Sequence, residues 1–330
     1  MSFFAILFAL LIEQVRPLAP DNLVHTGLRT WARGCRANFD AGRPHHGWVA
    51  WSLAVVLPAL LSLAIYWALL LFVGWPFAVA WSVAILYVTL GFRQFSHHFT
   101  GIRDALDQGN EAQARELLAA WQQVDASELP RSEIVRHVIE YSVLAAHRHV
   151  FAVLFWFSIL ASIGLGPMGA VLYRMAEFVA RYWNQRPRPG GTPASESLRT
   201  AARRAWIVID WLPSRTTALA FAVVGSFEDA IDGWRHHAQR FPNDNDGVIL
   251  AATSGAINVR LGGRELRPAF LPDSSQGFQA EAAASVDAGE STPGREPEPA
   301  HLAQVVGLVW RSVVMWMFLL ALLTLARLLG

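Results

Sequence analysis

The chain has 330 residues, 53% of them hydrophobic and 16% charged, with 14 Trp and 19 Phe, a profile that excludes an average soluble domain and indicates a multi-pass membrane protein. The net charge of +1 leaves no electrostatic footprint for nucleic acid, and all 27 basic residues are arginine, which excludes lysine nucleophiles and Schiff bases. Cys35 is the single cysteine, so neither an internal disulfide nor a multi-thiolate metal site can form; it reads as a neutral residue in a loop.

Residues 1–47 comprise an apolar segment, Ser2 to Ile12, followed by an Arg-rich loop. The apolar segment is too short to cross a core of about 30 Å, and Glu13 and Arg16 follow where a signal peptide would have its small-residue cleavage site. An interfacial helix or the end of an anchor is expected there. Residues 48–92 run from Trp48 to Phe92 without a charge or a histidine, too long for one straight crossing, and "VGWPF" at Val73 to Phe77 supplies a break. A transmembrane helical hairpin follows from that pattern, with both of its ends on one side of the bilayer.

Residues 93–150 are more polar. "ALDQGNEAQARELLAAW" predicts two amphipathic helices joined at Gly109, with Asn110 as N-cap and Gln113 placed for a capping box. Ala114, Leu117, Leu118 and Trp121 share one face, and a further helix is expected to begin near Pro130 and run towards the membrane. Residues 151–180 form a membrane segment interrupted by "GLGPMG" at Gly164 to Gly169. Residues 181–204 form an Arg-rich loop, and residues 205–225 a second interrupted segment holding Asp210, Pro213 and Arg215. Residues 226–267 read as a small-residue helix and a Gly-Gly loop, 268–304 as a disordered linker, and 305–330 as a C-terminal transmembrane helix. The two Arg-rich loops belong in the cytoplasm by the positive-inside bias. A segment that dips in and returns at Gly166-Pro167 satisfies this and leaves a cytoplasm-facing cavity; plain spans do not. The fold class is therefore all-α: a multi-pass integral membrane protein. It has a transmembrane hairpin, interrupted or re-entrant helices and cytoplasmic helical segments.

Asp210 and Arg215 are the sharpest chemical signal, because an ionisable group at helix-centre depth costs about 3 kcal/mol and so has a partner or a task. They either neutralise each other or serve a site. Arg174 and Glu177, at i and i+3, read either as a surface ion pair or as guards of a cavity mouth. The histidine doublets His45-His46, His97-His98 and His236-His237 make poor chelators, and His147 and His149 do not share a helical face, so no metal site is assigned. Asp244 and Asp246 fit either a Mg²⁺ contact or a helix N-terminus. No P-loop or dinucleotide fingerprint is present. In "FPNDNDGVILAATSGAINVRLGG", turns at Pro242-Asn243 and at Gly262-Gly263 flank a close-packing helix, and their amides with Arg260 suit either an anion or a tight hairpin.

The chain resembles the CobD/CbiB cobalamin-biosynthesis proteins and the related AmpE membrane proteins. "PNDNDGVILAATSGAINVRLGG" is similar to that family's PN-turn, small-residue helix and V-x-LGG ending; "WLPSRTTAL" resembles its P-x-R-x-x-AL segment and "LGPMGAVLYR" its G-P-G…Y-[KR] segment. "ALDQGNEAQARELL" and "VWRSVVMWMFLL" also fit. The resemblance implies an inner-membrane protein that joins an aminopropanol derivative to adenosylcobyric acid with ATP. It departs from the family where an E-N-x-x-D-G run is replaced by Leu144, Ala145 and Arg148, and where N-T-x-D is replaced by Glu177, Phe178, Val179 and Ala180. Val124 replaces the Arg of a G-R-D motif whose Asp125 remains; Glu140 is kept; an N-terminal GDP…HPV pattern is missing.

Several readings stand. One is a divergent paralogue with altered or lost ligase activity that binds a ligand or partner at the cytoplasmic membrane face, an AmpE-like role in β-lactamase and cell-wall stress regulation included. Another is an active ATP-dependent acid–amine ligase of cobalamin synthesis, for which Asp125, Glu140 and Asp210 are the catalytic candidates and ATP with Mg²⁺ the requirement. A transporter is a third. Arg174, Arg215, Asn243, Arg260, Gly262 and Gly263 are the ligand-binding candidates. The partners expected are the lipid bilayer and a corrinoid or another membrane protein, with no nucleic acid.

Overall fold

The computed structural model describes residues 2–15, 23–122, 124–184, 194–263 and 291–329, and among these an isolated bridge between Val259 and Arg295 is the nearest approach to a sheet. The helices are α1 Ser2–Val15, α2 Leu23–Phe39, α3 Pro44–Phe72, α4 Trp75–Thr89, α5 Phe92–Asp107, α6 Glu111–Gln122, α7 Arg131–Ala146, α8 Ala152–Ser162, α9 Met168–Asn184, α10 Glu196–Val224, α11 Phe227–His237, α12 Asp244–Ile257 and α13 Pro299–Leu329. One turn of π-helix, His147–Phe151, joins α7 to α8. Among the described residues, Pro44–Phe72, Arg131–Ser162, Glu196–Val224 and Pro299–Ala326 are long and apolar enough to cross a membrane; Phe3–Val15 and Trp75–Thr89 are apolar but shorter. The all-α membrane architecture is thus as expected. So is the break between α3 and α4, where Gly74 takes φ +117° and both Val73 and Gly74 donate to Leu69 O.

The chain forms two compact units. Met1–Gln94, His147–Pro213 and Met317–Gly330 make the first, and Phe95–Ala146 with Ser214–Trp316 the second. In the first unit, α2, α3, α9 and α10 pack Trp51, Met175, Val179, Trp183 and Leu198 among Ala50, Ala54, Ala176 and Ala202. The Trp183 indole donates to Ala32 O. Cys35 belongs to this core, buried in α2 rather than in a loop, and burial pushes its thiol up, towards the protonated, inert form.

A single helix from Phe151 to Tyr173 does not form. Instead α8 prolongs α7 through the π turn, and the chain reverses at Ile163–Pro167, with Gly164 at φ +85° and Gly166 at φ +52°. On the return, a Cβ at Gly169 would lie 2.2 Å from Trp156 O, so α8 and α9 touch backbone to backbone. The second interruption, expected at Leu212-Pro213, is not there: α10 runs through Pro213 as one helix. Proline lacks the amide that would bond to the carbonyl four residues back, here Ile209 O. That carbonyl accepts instead from Trp156 Nε1 at 3.1 Å. A neighbouring indole has replaced the missing amide, which is how a proline persists in a spanning helix. Much of the expected Arg-rich loop is also helical, since Arg181 lies in α9 and Arg199, Arg203 and Arg204 in α10.

The second unit contains the predicted α5–α6 corner. Gly109 takes φ +74°, Gln113 N donates to Asn110 Oδ1 at 3.1 Å, and the two side chains bond at 3.1 Å. The small-residue helix α12 is nearly all buried, because α11 lies directly on it: a Cβ at Gly255 would come within 2.1 Å of Asp229 O, and one at Gly233 within 2.6 Å of Ala251 O. Asn258 closes α12 in the left-handed region at φ 50°. Of the linker expected over 268–304, the part up to 290 lies outside the described residues, but 291–298 is tied down. Thr292 N donates to Leu261 O at 2.7 Å, Arg260 N to Arg295 O at 2.8 Å, and Ser254 and Thr292 share a buried hydroxyl contact of 2.6 Å. The composition of 291–298 is loop-like; its backbone polar groups are nonetheless paired.

The Trp156–Pro213 arrangement makes a double-mutant test. Trp156→Phe orphans a buried carbonyl and should cost about 1–3 kcal/mol of stability in detergent unfolding. In a Pro213→Ala background Ile209 O regains its helical donor, so the same substitution should cost markedly less. Equal costs in both backgrounds would refute the compensation.

Candidate functional site

Polar side chains gather at three places, one in the first unit and two in the second. In the first unit, α10 carries Asp210 into the interior with no exposure; its Oδ1 accepts from Tyr173 Oη at 2.8 Å and lies 2.9 Å from His147 Nε2, while Oδ2 has no partner. His147 reaches Asp210 from the π turn, a feature found mostly at functional sites because the inserted residue re-aims a side chain. Beside it on α9, Arg174 Nη1 donates to Glu177 Oε2 at 3.1 Å, and Arg181 lies 3.6 Å from the other carboxylate oxygen. The pair is no surface pair: the Glu177 side chain is 4% exposed. Burial alone would raise the Glu177 carboxyl, but Arg174, then Arg181, His149 and Arg148, bring it down to about 2. Asp210 is therefore partnered by His147 and Tyr173, which rules out the expectation that its partner is Arg215.

In the second unit, Arg136 of α7 is buried between Glu133 at 2.6 Å and Glu140 at 2.9 Å. Glu140 Oε1 also accepts from Gly262 N at 2.7 Å. The Gly-Gly turn, with φ +82° and +110°, thus aims a backbone amide at a carboxylate on another helix. Held this way, Glu140 ties the turn to α7.

The third place surrounds Arg215, whose Nη1 donates to Asn245 Oδ1 at 3.0 Å. Arg215, Trp234, Arg235, Ala238, Gln239, Asp244 and Val248 line a cavity of about 310 Å³. Two guanidinium groups, a carboxylate and an indole share its wall, a set suited to a phosphate or carboxylate group bearing a flat ring.

The candidates sort accordingly. Arg215 lines the cavity of the third place, beside Asn245. Asn243 does not: its side chain is exposed and turned to Asp246 at 3.3 Å, and Asn245, two positions on, holds Arg215 instead. Arg260 is exposed and does not line that cavity, while Gly262 serves Glu140; Gly263 completes the same turn. Arg174 belongs to the first unit, with Glu177. Asp125 is exposed in a turn; bonds from the Ser127 hydroxyl and amide lower its carboxyl. Sequence reasoning missed His147, Tyr173, Arg136, Asn245, Trp234 and Arg235. Arg136 carried the readable signal, since Glu133, Arg136 and Glu140 follow helical i+3 and i+4 spacing. Among the described residues no group of three or more His, Cys, Asp or Glu is placed to hold a metal ion.

Comparison with known proteins bears on this arrangement. A family model described as CobD/Cbib protein matches residues 3–288. A cobalamin biosynthesis protein CobD of Stutzerimonas stutzeri is 29% identical over 324 residues, 96% of this chain and 96% of its own. One of Chromobacterium violaceum is 34% identical over 184 residues, 55% of each chain. One of Mycobacterium tuberculosis is 44% identical over 62 residues, 16% of this chain and 20% of its own. No solved structure matches.

Glu177 supplies a pH test. Its folded carboxyl titrates near 2 against an ordinary 4.5, so its stabilisation is fully present above pH 4.5 and is lost as pH falls through 2. Glu177→Gln should lower stability at pH 7 by about 3 kcal/mol. Acid titration of unfolding in micelles should show the parent curve falling towards the variant's over that window; parallel curves would show that Glu177 is not the group titrating.

Proposed function

Since the chain belongs to the CobD/CbiB family, we propose that it is a cobalamin-biosynthesis ligase of the cytoplasmic membrane, forming an amide between a corrinoid carboxylate and an aminopropanol derivative at the expense of ATP. The observation that carries this reading is the Arg215–Asn245 bond. It joins the P-S-R segment to the PN-turn helix, two motifs of the resemblance, at the wall of a cavity that offers two guanidinium groups. Amide formation from a carboxylate requires phosphoryl transfer to a carboxylate oxygen, attack by the amine nitrogen on the carbonyl carbon, and departure of phosphate as the nitrogen loses a proton. What the protein must supply is charge stabilisation for migrating phosphate, and positioning.

In this reading Arg215 and Arg235 would hold phosphate oxygens, Trp234 would offer a stacking face, and Asp244 would be the carboxylate to hold Mg²⁺. Magnesium, when bound, would neutralise phosphate charge. Glu140 acts through Gly262: it is a positioning residue that sets the Gly-Gly turn.

A second reading, a divergent paralogue with altered or lost ligase activity, is favoured by one observation. Where the resemblance implies the two acids of E-N-x-x-D-G the chain has Leu144 and Arg148, and where it implies the acid of N-T-x-D it has Ala180.

Complementation separates the two. In a strain deleted for cobinamide-phosphate synthase, this gene should restore growth without supplied cobinamide. Arg215→Ala and Arg235→Ala should each reduce the rescued rate at least tenfold, with Arg215→Lys recovering part of it. Failure of the wild-type gene, with the protein folded and in the membrane, would leave the paralogue reading standing and end the ligase reading.

A further inference from the structure

A second cavity in the second unit is unused by this function. It has about 420 Å³ and is lined by α10's end, α11, α12 and α13, among them Ser226, Asp229, Asn258, Gln304, Gly307 and Arg311. The size is within the range of about 300–1,000 Å³ typical of small-ligand sites. Two opposite charges face it. Arg311 Nε donates to Gly307 O at 3.2 Å, which leaves both terminal nitrogens of the guanidinium to spare. Asp229 accepts from Ser226 Oγ at 2.6 Å. Neither has an ion-pair partner among the described residues, although they share the cavity.

Arg311 lies on α13, a helix long and apolar enough to span a membrane. An arginine so placed is costly unless it meets an anion. Apolar residues close in sequence to the lining ones are exposed, and we take them as its rim: Val223 at 54%, Phe227 at 52%, Trp310 at 40% and Val314 at 62%. The floor is made of small residues, and a side chain added at Gly307 would meet nothing within 4 Å, so it would project into the cavity.

We propose that this cavity binds the headgroup of an aminophospholipid of the phosphatidylethanolamine class. The phosphate pairs with Arg311, the primary ammonium with Asp229, and the acyl chains lie along the apolar rim. A zwitterion bridges two fixed charges that do not reach each other. An anionic lipid would satisfy Arg311 and be repelled by Asp229. A choline headgroup has no N–H to donate to the carboxylate. Unlike the ligase reading, this assignment stands without any catalytic step, and a failed complementation leaves it intact.

The test uses the full-length protein, delipidated in detergent, offered equimolar dioctanoyl phosphatidylethanolamine, phosphatidylcholine and phosphatidylglycerol, with retention read by native mass spectrometry. One phosphatidylethanolamine should be retained at least fivefold over the other two. Arg311→Gln should weaken all three lipids, Asp229→Asn should remove the preference over choline and glycerol headgroups, and Gly307→Leu should block the site. All three positions are at least partly exposed, and circular dichroism with size-exclusion profiles checks folding. Equal retention of the three lipids by the parent, or a preference unaltered by Asp229→Asn, would overturn the proposal. Competition by soluble phosphoethanolamine at the same concentration as the lipid would also overturn it, because the rim would then contribute nothing and the ligand would be a water-soluble amino-alcohol phosphate.

Discussion

Away from water, a polar group keeps its place only if the chain itself supplies a partner, and the first unit is arranged around that constraint. Ile209 O, deprived of its helical donor by Pro213, takes the Trp156 indole; Asp210, one residue on, takes Tyr173 and His147; Glu177 takes Arg174. These partners come from α8, α9 and the π turn. The reversal at Ile163–Pro167 is what brings α9 beside α8, and the backbone contact at Gly169 fixes their separation. Without the reversal, Tyr173 and Trp156 could not address neighbouring residues of α10.

The second unit meets a related constraint by close approach. Glycines at 233, 247 and 255 admit backbone where a Cβ would collide, so α12 is enclosed on nearly every side. A helix so enclosed cannot shift without repacking its neighbours, which makes it a rigid base for Asn245 and hence for Arg215. The same rigidity passes through Asn258 and the pairing of 259–261 with 292–295 to Gly262, where it meets Glu140.

Patterns that depend on neighbours in sequence were legible. The α3–α4 break, the Asn110–Gln113 cap, the helix starting after Pro130 and the close-packing character of α12 all follow from local backbone preference or helical spacing. Pro213 was misread because its local effect is cancelled by Trp156, far away along the chain. His147 was set aside because its spacing from His149 was judged as if both had to face one way; in the structure His147 turns to Asp210, while His149 lies near Arg174 and Glu177. Asn243 and Asn245 were indistinguishable within "PNDND", where two residues of helical rotation decide which one meets Arg215. The order in 291–298 was hidden because its partners belong to Leu261 and Asn258.

Charge is redistributed in the first-unit cluster. Relative to the motifs of the resemblance, an acidic position on the π turn has become Arg148, and an asparagine position on α9 has become Glu177; the field of Arg148 acts on Glu177. The turn has gained a cation where the resemblance implies an acid, and the anion of the cluster is Glu177 on α9. A substrate cation or a metal-bound phosphate that needed the turn's carboxylate would meet a guanidinium instead, whereas the other cavity's wall holds Arg215, the arginine of the P-x-R-x-x-AL segment. A reaction that needed an acid on the turn would lack it there, whereas one that used Arg215 would still find its arginine. This is the physical form of the choice between a working ligase and a binding protein derived from one.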